Sequence, residues 1–247
     1  MEKVLVTGGS GYIGLHCISL LLKEGYAVRT SLRSMKRKKE IQEALSGSIK
    51  NNERLEFCEL DLMRDDGWDA AVKGCDYVLH VASPVYEKNM QDENSFIQPA
   101  KEGLLRALKP AVKYKIKRFV MTSSIAAITQ GHEDKEIDES FWSLIDENTL
   151  PYIKSKTYAE KAMWDYMNQI DETKKIEVCT INPSFVFGPS LTYDMGASNL
   201  LIRALLVGKL PALAKIQFNV VNVLDVAKAH ILAMKSDRAA GQRFIVS

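Results

Sequence analysis

Apolar residues in this chain come in short runs separated by longer stretches of helical spacing. Val4, Leu5 and Val6 form the first run, of the kind buried on both faces in a parallel sheet. The stretch 12–24 follows, with Ile13, Cys17, Leu20 and Leu21 on one side, which predicts a helix with one buried face. The alternation continues to the end. It predicts strands over 27–32, 55–58, 77–81, 118–122, 177–181 and 243–246, and an extended piece over 218–223. It predicts helices over 36–45, 67–72, 96–113, 152–173, 199–207 and 225–234. Strand and helix in alternation imply right-handed crossovers and a doubly wound parallel sheet, an α/β fold.

Between the first strand and the first helix stand Gly8, Gly11 and Gly14, in Thr7-Gly8-Gly9-Ser10-Gly11-Tyr12-Ile13-Gly14. A dinucleotide pyrophosphate needs this sequence of strand, glycine turn and helix. Glycine permits the tight turn and lets backbone approach the phosphates. The helix N-terminus at Tyr12, Ile13 and Gly14 offers free N–H groups and a positive dipole end. Gly14 is expected to let the helix pack closely on the sheet. The strand before and the helix after raise the motif above an ordinary glycine turn.

Composition narrows the field. At 247 residues with 46% hydrophobic content, the chain can hold one sizeable core. Its net charge of +2 does not suggest a nucleic acid or an acidic membrane as partner. Cys17, Cys58, Cys75 and Cys179 are scattered, as are the histidines, so a metal site is not expected. Thiols in apolar segments suit a reducing compartment. With no leader pattern and no apolar run of membrane-spanning length, the expected location is the cytoplasm.

The second strand chooses the cofactor. NAD sites usually place Asp or Glu near its end, on the ribose hydroxyls. Here the stretch reads Arg29-Thr30-Ser31-Leu32-Arg33-Ser34. Arg33 can pair with a 2′-phosphate, and Lys38 in the basic run 36–39 adds charge. NADP(H) is therefore expected. Asp61, followed by Leu62 after the third strand, is placed for the adenine amino group or for a loop cap. Val81, Ala82 and Ser83 end the fourth strand, where ligands meet an open sheet. His80 lies inside that strand and is expected to be packed rather than catalytic.

The chemistry lies further on. The fifth strand ends in Thr122-Ser123-Ser124, and the next long helix opens Tyr152-Ile153-Lys154-Ser155-Lys156. Tyr152 and Lys156 are i and i+4, on one helical face. A phenol ionises near pH ~10 in water. A lysine ammonium beside it favours the phenolate, so Tyr152 can protonate a carbonyl oxygen as hydride reaches the carbon. Ser124 can polarise the same oxygen, and Lys156 can also hold the nicotinamide ribose.

The glycine turn, the Ser124 strand and Tyr152-x-x-x-Lys156 together resemble the extended short-chain dehydrogenase/reductases, with their Rossmann-type sheet. His80-Val81-Ala82-Ser83-Pro84, Asp138-Glu139-Ser140-x-Trp142-Ser143, Ser155-Lys156-Thr157-x-Ala159-Glu160-Lys161 and Asn182-Pro183-Ser184-x-Val186-x-Gly188-Pro189 are similar to the dihydroflavonol 4-reductase branch. Nearly the whole chain takes part. The resemblance implies NADPH, a Ser124–Tyr152–Lys156 triad, and nicotinamide contacts from the backbone of Pro183, Ser184 and Val186.

Two positions depart from the plant members. Flavonoid reductases of the branch tend to carry Asn five residues after the catalytic Ser, where this chain has Thr129. The cinnamoyl-CoA reductase signature at the catalytic Tyr is replaced by Asn148-Thr149-Leu150-Pro151-Tyr152. The resemblance thus points to a microbial, broad-range carbonyl reductase. Ile125, Thr129 and Tyr193 are the expected walls of an apolar substrate pocket, with Met195 beside them, ahead of a leucine-rich helix that packs its apolar face and stops before Pro211. The expected division is an NADP-binding domain over 1–190 and, over 191–247, an incomplete substrate lobe with late strands returning to the sheet. Family members usually continue further, so added C-terminal residues are expected to raise turnover. Two other functions share these motifs. A sugar-nucleotide epimerase or dehydratase uses the same triad but wants an acid where Arg33 stands. A non-catalytic NADP-binding regulator usually lacks the Tyr or the Lys.

Overall fold

A computed structural model of the chain describes residues 1–48, 52–84, 94–132, 135–209 and 217–247. Seven parallel strands form one sheet: β1 (Lys3–Thr7), β2 (Ala27–Leu32), β3 (Leu55–Glu59), β4 (Tyr77–His80), β5 (Arg118–Thr122), β6 (Glu177–Pro183) and β9 (Arg243–Val246). Their order is β3-β2-β1-β4-β5-β6-β9. The direction of winding reverses between β1 and β4, and the crevice at their C-terminal ends is where this sheet type takes ligands.

Alternation along β1 decides which helices cover which face. Val4 and Val6 point to one side, into a core shared with α1 (Tyr12–Lys23), α2 (Lys38–Leu45) and α7 (Val223–Lys235). Leu5 points to the other, against α3 (Trp68–Val72), α4 (Asn94–Lys113) and α5 (Pro151–Gln169). Leu15, Ile18, Leu21 and Leu22 of α1 are all but fully buried, and each such side chain stabilises the fold by about 1.5–3 kcal/mol.

The structure departs from the sequence reading where side chains cap turns. The expected helix over 36–45 begins as a 3-10 turn, because Ser34 accepts the Lys36 N–H, and becomes α-helical only at Lys38. The expected helix over 152–173 stops at Gln169, where the Asp171 side chain accepts the Thr173 N–H and starts a separate turn. A short pair, β7 (Phe185–Phe187) and β8 (Val220–Asn222), stands apart from the main sheet. Of the late strands only β9 returns to the main sheet, beside β6. The leucine-rich helix α6 (Gly196–Leu206) lies against β7 and has no fully buried residue, with Leu200 and Leu206 exposed. The expectation of a packed apolar face is corrected there: the small sheet covers only one side. Pro211 lies outside the described residues. Among those described, no helix is long and apolar enough to cross a membrane.

His230 on α7 is fully buried behind the end of β5. Its Nδ1–H donates to the Val226 carbonyl at 2.8 Å, so Nε2 accepts the Thr122 hydroxyl at 2.6 Å. Burial pushes this imidazole down to about 4, from an ordinary 6.5. A proton therefore binds the unfolded chain more readily than the native one. Stability is full above pH 6.5 and drains as pH falls toward 4, by about 2 kcal/mol at pH 5 from this residue. We expect Tm to drop between pH 7 and 5, with a shallower slope in His230→Gln. An unchanged slope in that variant would remove His230 from the account.

Candidate active site

The glycine turn sits at the reversal point of the sheet. Gly8 has φ +71°, and a Cβ there would lie 2.9 Å from the Ala82 Cα beyond β4. That is the close approach the motif implies. Gly14 would place a Cβ 2.4 Å from the Gly8 carbonyl oxygen. Its clearance is thus against the turn itself and not the sheet, a correction to the expected role. Gly9 went unnoticed in the sequence, yet a Cβ there would lie 1.8 Å from Thr30 Oγ1. The turn is pinned from β2, since the Gly8 N–H donates to Ser31 Oγ (3.1 Å) and the Gly9 N–H to the Ser31 carbonyl (3.0 Å).

Helix α1 opens at Gly11 with no side-chain cap and no acidic residue in its first turn. Its leading N–H groups, at Tyr12, Ile13 and Gly14, are left for an anion. A backbone cradle with no room for Cβ atoms and an uncapped helix start fit a dinucleotide pyrophosphate. The Tyr12 side chain does something else. It is buried against Gly196, whose Cβ would come within 2.7 Å of its ring, and joins Val186, Val221, Val223 and Val226 in a small core. Burial pushes its phenol up, with the Asn199 amide acting the other way. One turn on, His16 Nε2–H donates to the Pro189 carbonyl at 2.9 Å. The start of α1 is thereby tied to the loop after β7.

At the adenine end Arg33 is exposed just past β2. A carboxylate does stand nearby, from β3: Glu59, in register with Leu32, accepts the Met35 N–H at 3.2 Å. The basic run divides in its roles. Arg37 makes a two-pronged pair with Glu40 at 2.8 and 2.7 Å, which holds its guanidinium above the usual range. Lys38 is exposed, its ammonium 5.6 Å from the Phe57 ring centroid. Asp61 caps its own loop, accepting the Met63 N–H at 2.9 Å. Leu62 packs on Gly103 of α4, and its carbonyl accepts from Arg106 at 2.7 Å.

Ser124 follows β5 and is buried. The Ala126 N–H donates to its Oγ at 3.1 Å, capping the 3-10 turn Ile125–Ala127. With that N–H on its oxygen, the hydroxyl has its own proton to donate to a bound carbonyl. Tyr152 is the second residue of α5, after Pro151 at the first position, and is 47% exposed. Lys156, one turn on, is buried, with its ammonium 5.9 Å from the Tyr152 ring centroid. The first turn of α5 holds no acid, so the positive end of the helix stands uncompensated beside the Tyr152 side chain.

Lys156 shares a small cavity with His80, Ala82, Ser83 and Thr122, at the ends of β4 and β5; Val81 turns into the core beside α1. His80 is packed, as expected: its Nδ1 is 3.1 Å from Thr7 Oγ1, which also accepts the Ala82 N–H at 3.1 Å. Burial, then the Lys156 charge, pushes this imidazole down to about 3, so it stays neutral.

Residues 183–185 form a strand-to-strand joint. Pro183 still belongs to β6, opposite Val246, and Ser184 alone separates it from β7. The Ser184 hydroxyl is buried with no protein partner, which suits the polar end of a nicotinamide arm. On the substrate side Ile125 and Thr129 are half-buried, and Thr129 Oγ1 donates to the Ile125 carbonyl at 3.2 Å. Tyr193 is 99% exposed and walls no pocket in this conformation. Its loop is held by its own polar groups, with Ser190 Oγ bonded to the Thr192 and Asp194 carbonyls.

Residues 4–247 match the family described as "NAD dependent epimerase/dehydratase family". Cinnamoyl-CoA reductase CAD2 of Medicago truncatula is 35% identical over 253 residues, covering 98% of this chain and 75% of that one. The yeast methylglyoxal/isovaleraldehyde reductase Gre2, solved with NADPH, superposes with a TM-score of 0.87 at 30% identity, over 100% of this chain and 78% of that one. Vestitone reductase from alfalfa (Medicago sativa L.) gives a TM-score of 0.84 at 32% identity, over 100% and 77%. The chain belongs to the NAD dependent epimerase/dehydratase family of extended short-chain dehydrogenase/reductases, in its dihydroflavonol 4-reductase-like branch.

Proposed function

We propose that Tyr152, Lys156 and Ser124 reduce the carbonyl of apolar aldehydes, ketones or α-dicarbonyls to an alcohol. The chain is an NADP(H)-dependent oxidoreductase, as its reductase relatives are. NADPH, when bound, supplies the hydride. Ser124 donates its hydroxyl proton to the carbonyl oxygen and holds the carbonyl in line. Tyr152 passes its phenolic proton to that oxygen as negative charge builds there. Lys156 stabilises the phenolate that remains and holds the ribose. What supports this reading is that the Lys156 ammonium lies 5.9 Å from the Tyr152 ring centroid on α5, while the turn capped by the Ser124 hydroxyl packs against the same helix. In the binding groove, Gly8, Gly11 and the start of α1 take the pyrophosphate. Arg33 and Lys38 take the 2′-phosphate, Asp61 and Leu62 the adenine, Val81–Ser83 the middle of the cofactor, and Pro183, Ser184 and Val186 the nicotinamide. Ile125 and Thr129 face the substrate. The free thiols accord with a cytoplasmic setting.

NADPH oxidation with isovaleraldehyde, methylglyoxal and aromatic ketones, together with chromatography of UDP-sugars for epimerised product, tests the proposal. Turnover of the apolar carbonyls is expected. A preference for interconverting a UDP-sugar would overturn it in favour of an epimerase. Cofactor choice has its own test. Arg33→Asp is expected to raise the NADPH KM by about 10- to 100-fold, the loss of one charge-assisted phosphate contact of about 1.5–3 kcal/mol. The NADH KM should change much less. Equal losses with both cofactors would show that Arg33 does not read the 2′-phosphate.

A further inference from the structure

Glu160 and Arg243 form a buried ion pair that the chemistry above leaves unused. Arg243 Nε meets Glu160 Oε1 at 2.6 Å, with side-chain exposures of 9% and 0%. Glu160 lies one turn beyond Lys156 on α5. Its second oxygen accepts from Ser123 Oγ and from Asn182 Nδ2 (2.8 Å), and Asn182 Nδ2 also donates to the Ser124 carbonyl at 3.1 Å. One carboxylate therefore links the helix that carries Tyr152 and Lys156 to the backbone of Ser124.

Arg243 extends the link to the segment 138–143. Its Nη1 donates to the carbonyls of Glu139 (2.8 Å) and Phe141 (2.5 Å), and its guanidinium lies 3.8 Å from the Trp142 ring centroid. Glu139 Oε1 in turn accepts the Ile245 N–H at 3.0 Å. The segment then returns to the Ser124 turn, since Ser143 Oγ donates to the Ala126 carbonyl at 2.8 Å and accepts the Gln130 N–H at 3.0 Å. The circuit closes on both sides of Ser124.

We infer that the Glu160–Arg243 pair is a positioning brace, which sets the Ser124 hydroxyl against Tyr152 and Lys156 through Asn182 on one side and the 138–143 segment on the other. The inference rests on the proposed triad. A buried ion pair with polar groups crowded onto it is poor evidence of net stabilisation. Its partners here are the two elements whose mutual placement decides whether a carbonyl meets both donors. Misplacing a reacting group by about 1 Å can cost about 100-fold in rate. Glu139 and Glu160, to which the sequence reading gives no task of their own, acquire a role.

The test is a double-mutant cycle between Arg243→Lys and Ser124→Ala, with isovaleraldehyde and NADPH. Arg243→Lys keeps the buried charge and gives up the planar contacts. It is expected to lower kcat per folded enzyme by about 10- to 100-fold, with the NADPH Kd changed by less than about threefold. Adding Ser124→Ala to it should cost little more, because the brace acts through Ser124. Glu160→Gln is run in the same cycle with the same expectation. Should it fail to fold, Arg243→Lys decides alone. Multiplying effects, or a variant whose kcat per folded molecule equals that of the parent, overturn the brace and leave the triad standing. A parent enzyme indifferent to Ser124→Ala overturns both.

Discussion

Tyr152→Phe is expected to lower kcat by about 10²–10⁴-fold while NADPH binds almost as before, since one proton transfer is removed and little else. The geometry makes this a clean experiment. The ring is 47% exposed, so removing its hydroxyl strands no buried group, and stability should move by less than about 0.5 kcal/mol. Phe keeps the ring that Lys156 approaches to 5.9 Å. Lys156→Met should damage both kcat and NADPH binding, because the ammonium is proposed to serve both the phenolate and the ribose. It also removes the positive charge that helps hold His80 down at about 3, so the imidazole should titrate higher in that variant, a shift readable by NMR. A Tyr152→Phe enzyme that retained most of its kcat would sink the triad, whatever its relatives do.

The proposed triad is legible in the sequence because each member leaves a local mark. Tyr152 and Lys156 are one turn apart, so their shared face follows from helical geometry alone. Ser124 closes an apolar run, and the C-terminal end of a parallel strand is where an open sheet meets its ligands. The sheet itself is legible too: β2, β5 and β9 have the bounds the sequence predicts, and β5, buried at every residue, carries the clearest apolar run.

What escaped the sequence depends on partners distant in the chain. Gly9 reads as a spare glycine until β2 brings Thr30 against it. β8 falls inside the extended piece expected over 218–223, but its partner β7 is three residues long, too short for a period-2 pattern to show. Tyr12 looked like a helix start facing phosphate, but its ring is claimed by Gly196, nearly the length of the chain away. Glu160 sat in plain view within a recognised motif. Only the folded sheet delivers Arg243, Asn182 and Ser123 to its carboxylate.

The glycine cradle permits a prediction that separates backbone from side-chain obstruction. Gly14→Ala would set a Cβ 2.4 Å from the Gly8 carbonyl oxygen. The obstacle is backbone, in the turn proposed to hold the pyrophosphate, so the turn must open or α1 must retreat. Overpacking of this kind costs about 1–3 kcal/mol, and here it falls on the cofactor groove, for a loss of NADPH affinity of about 5- to 150-fold. No second substitution should restore it. Gly9→Ala meets a different obstacle, the Thr30 hydroxyl at 1.8 Å, with Thr30 Cβ at 3.0 Å and Ile18 Cδ1 at 3.1 Å behind it. Thr30 cannot simply swing aside, because it is fully buried and donates to the Val6 carbonyl at 3.0 Å. Removing its hydroxyl and methyl should nevertheless make room. Gly9→Ala is therefore expected to weaken NADPH as Gly14→Ala does, and Gly9→Ala/Thr30→Ala to recover much of the affinity. Fluorescence titration of NADPH into the parent, Gly14→Ala, Gly9→Ala and each of these two combined with Thr30→Ala, with Tm measured alongside, reads the outcome. If Thr30→Ala rescues neither variant, or rescues both alike, the two contacts are not what sets the shape of the turn.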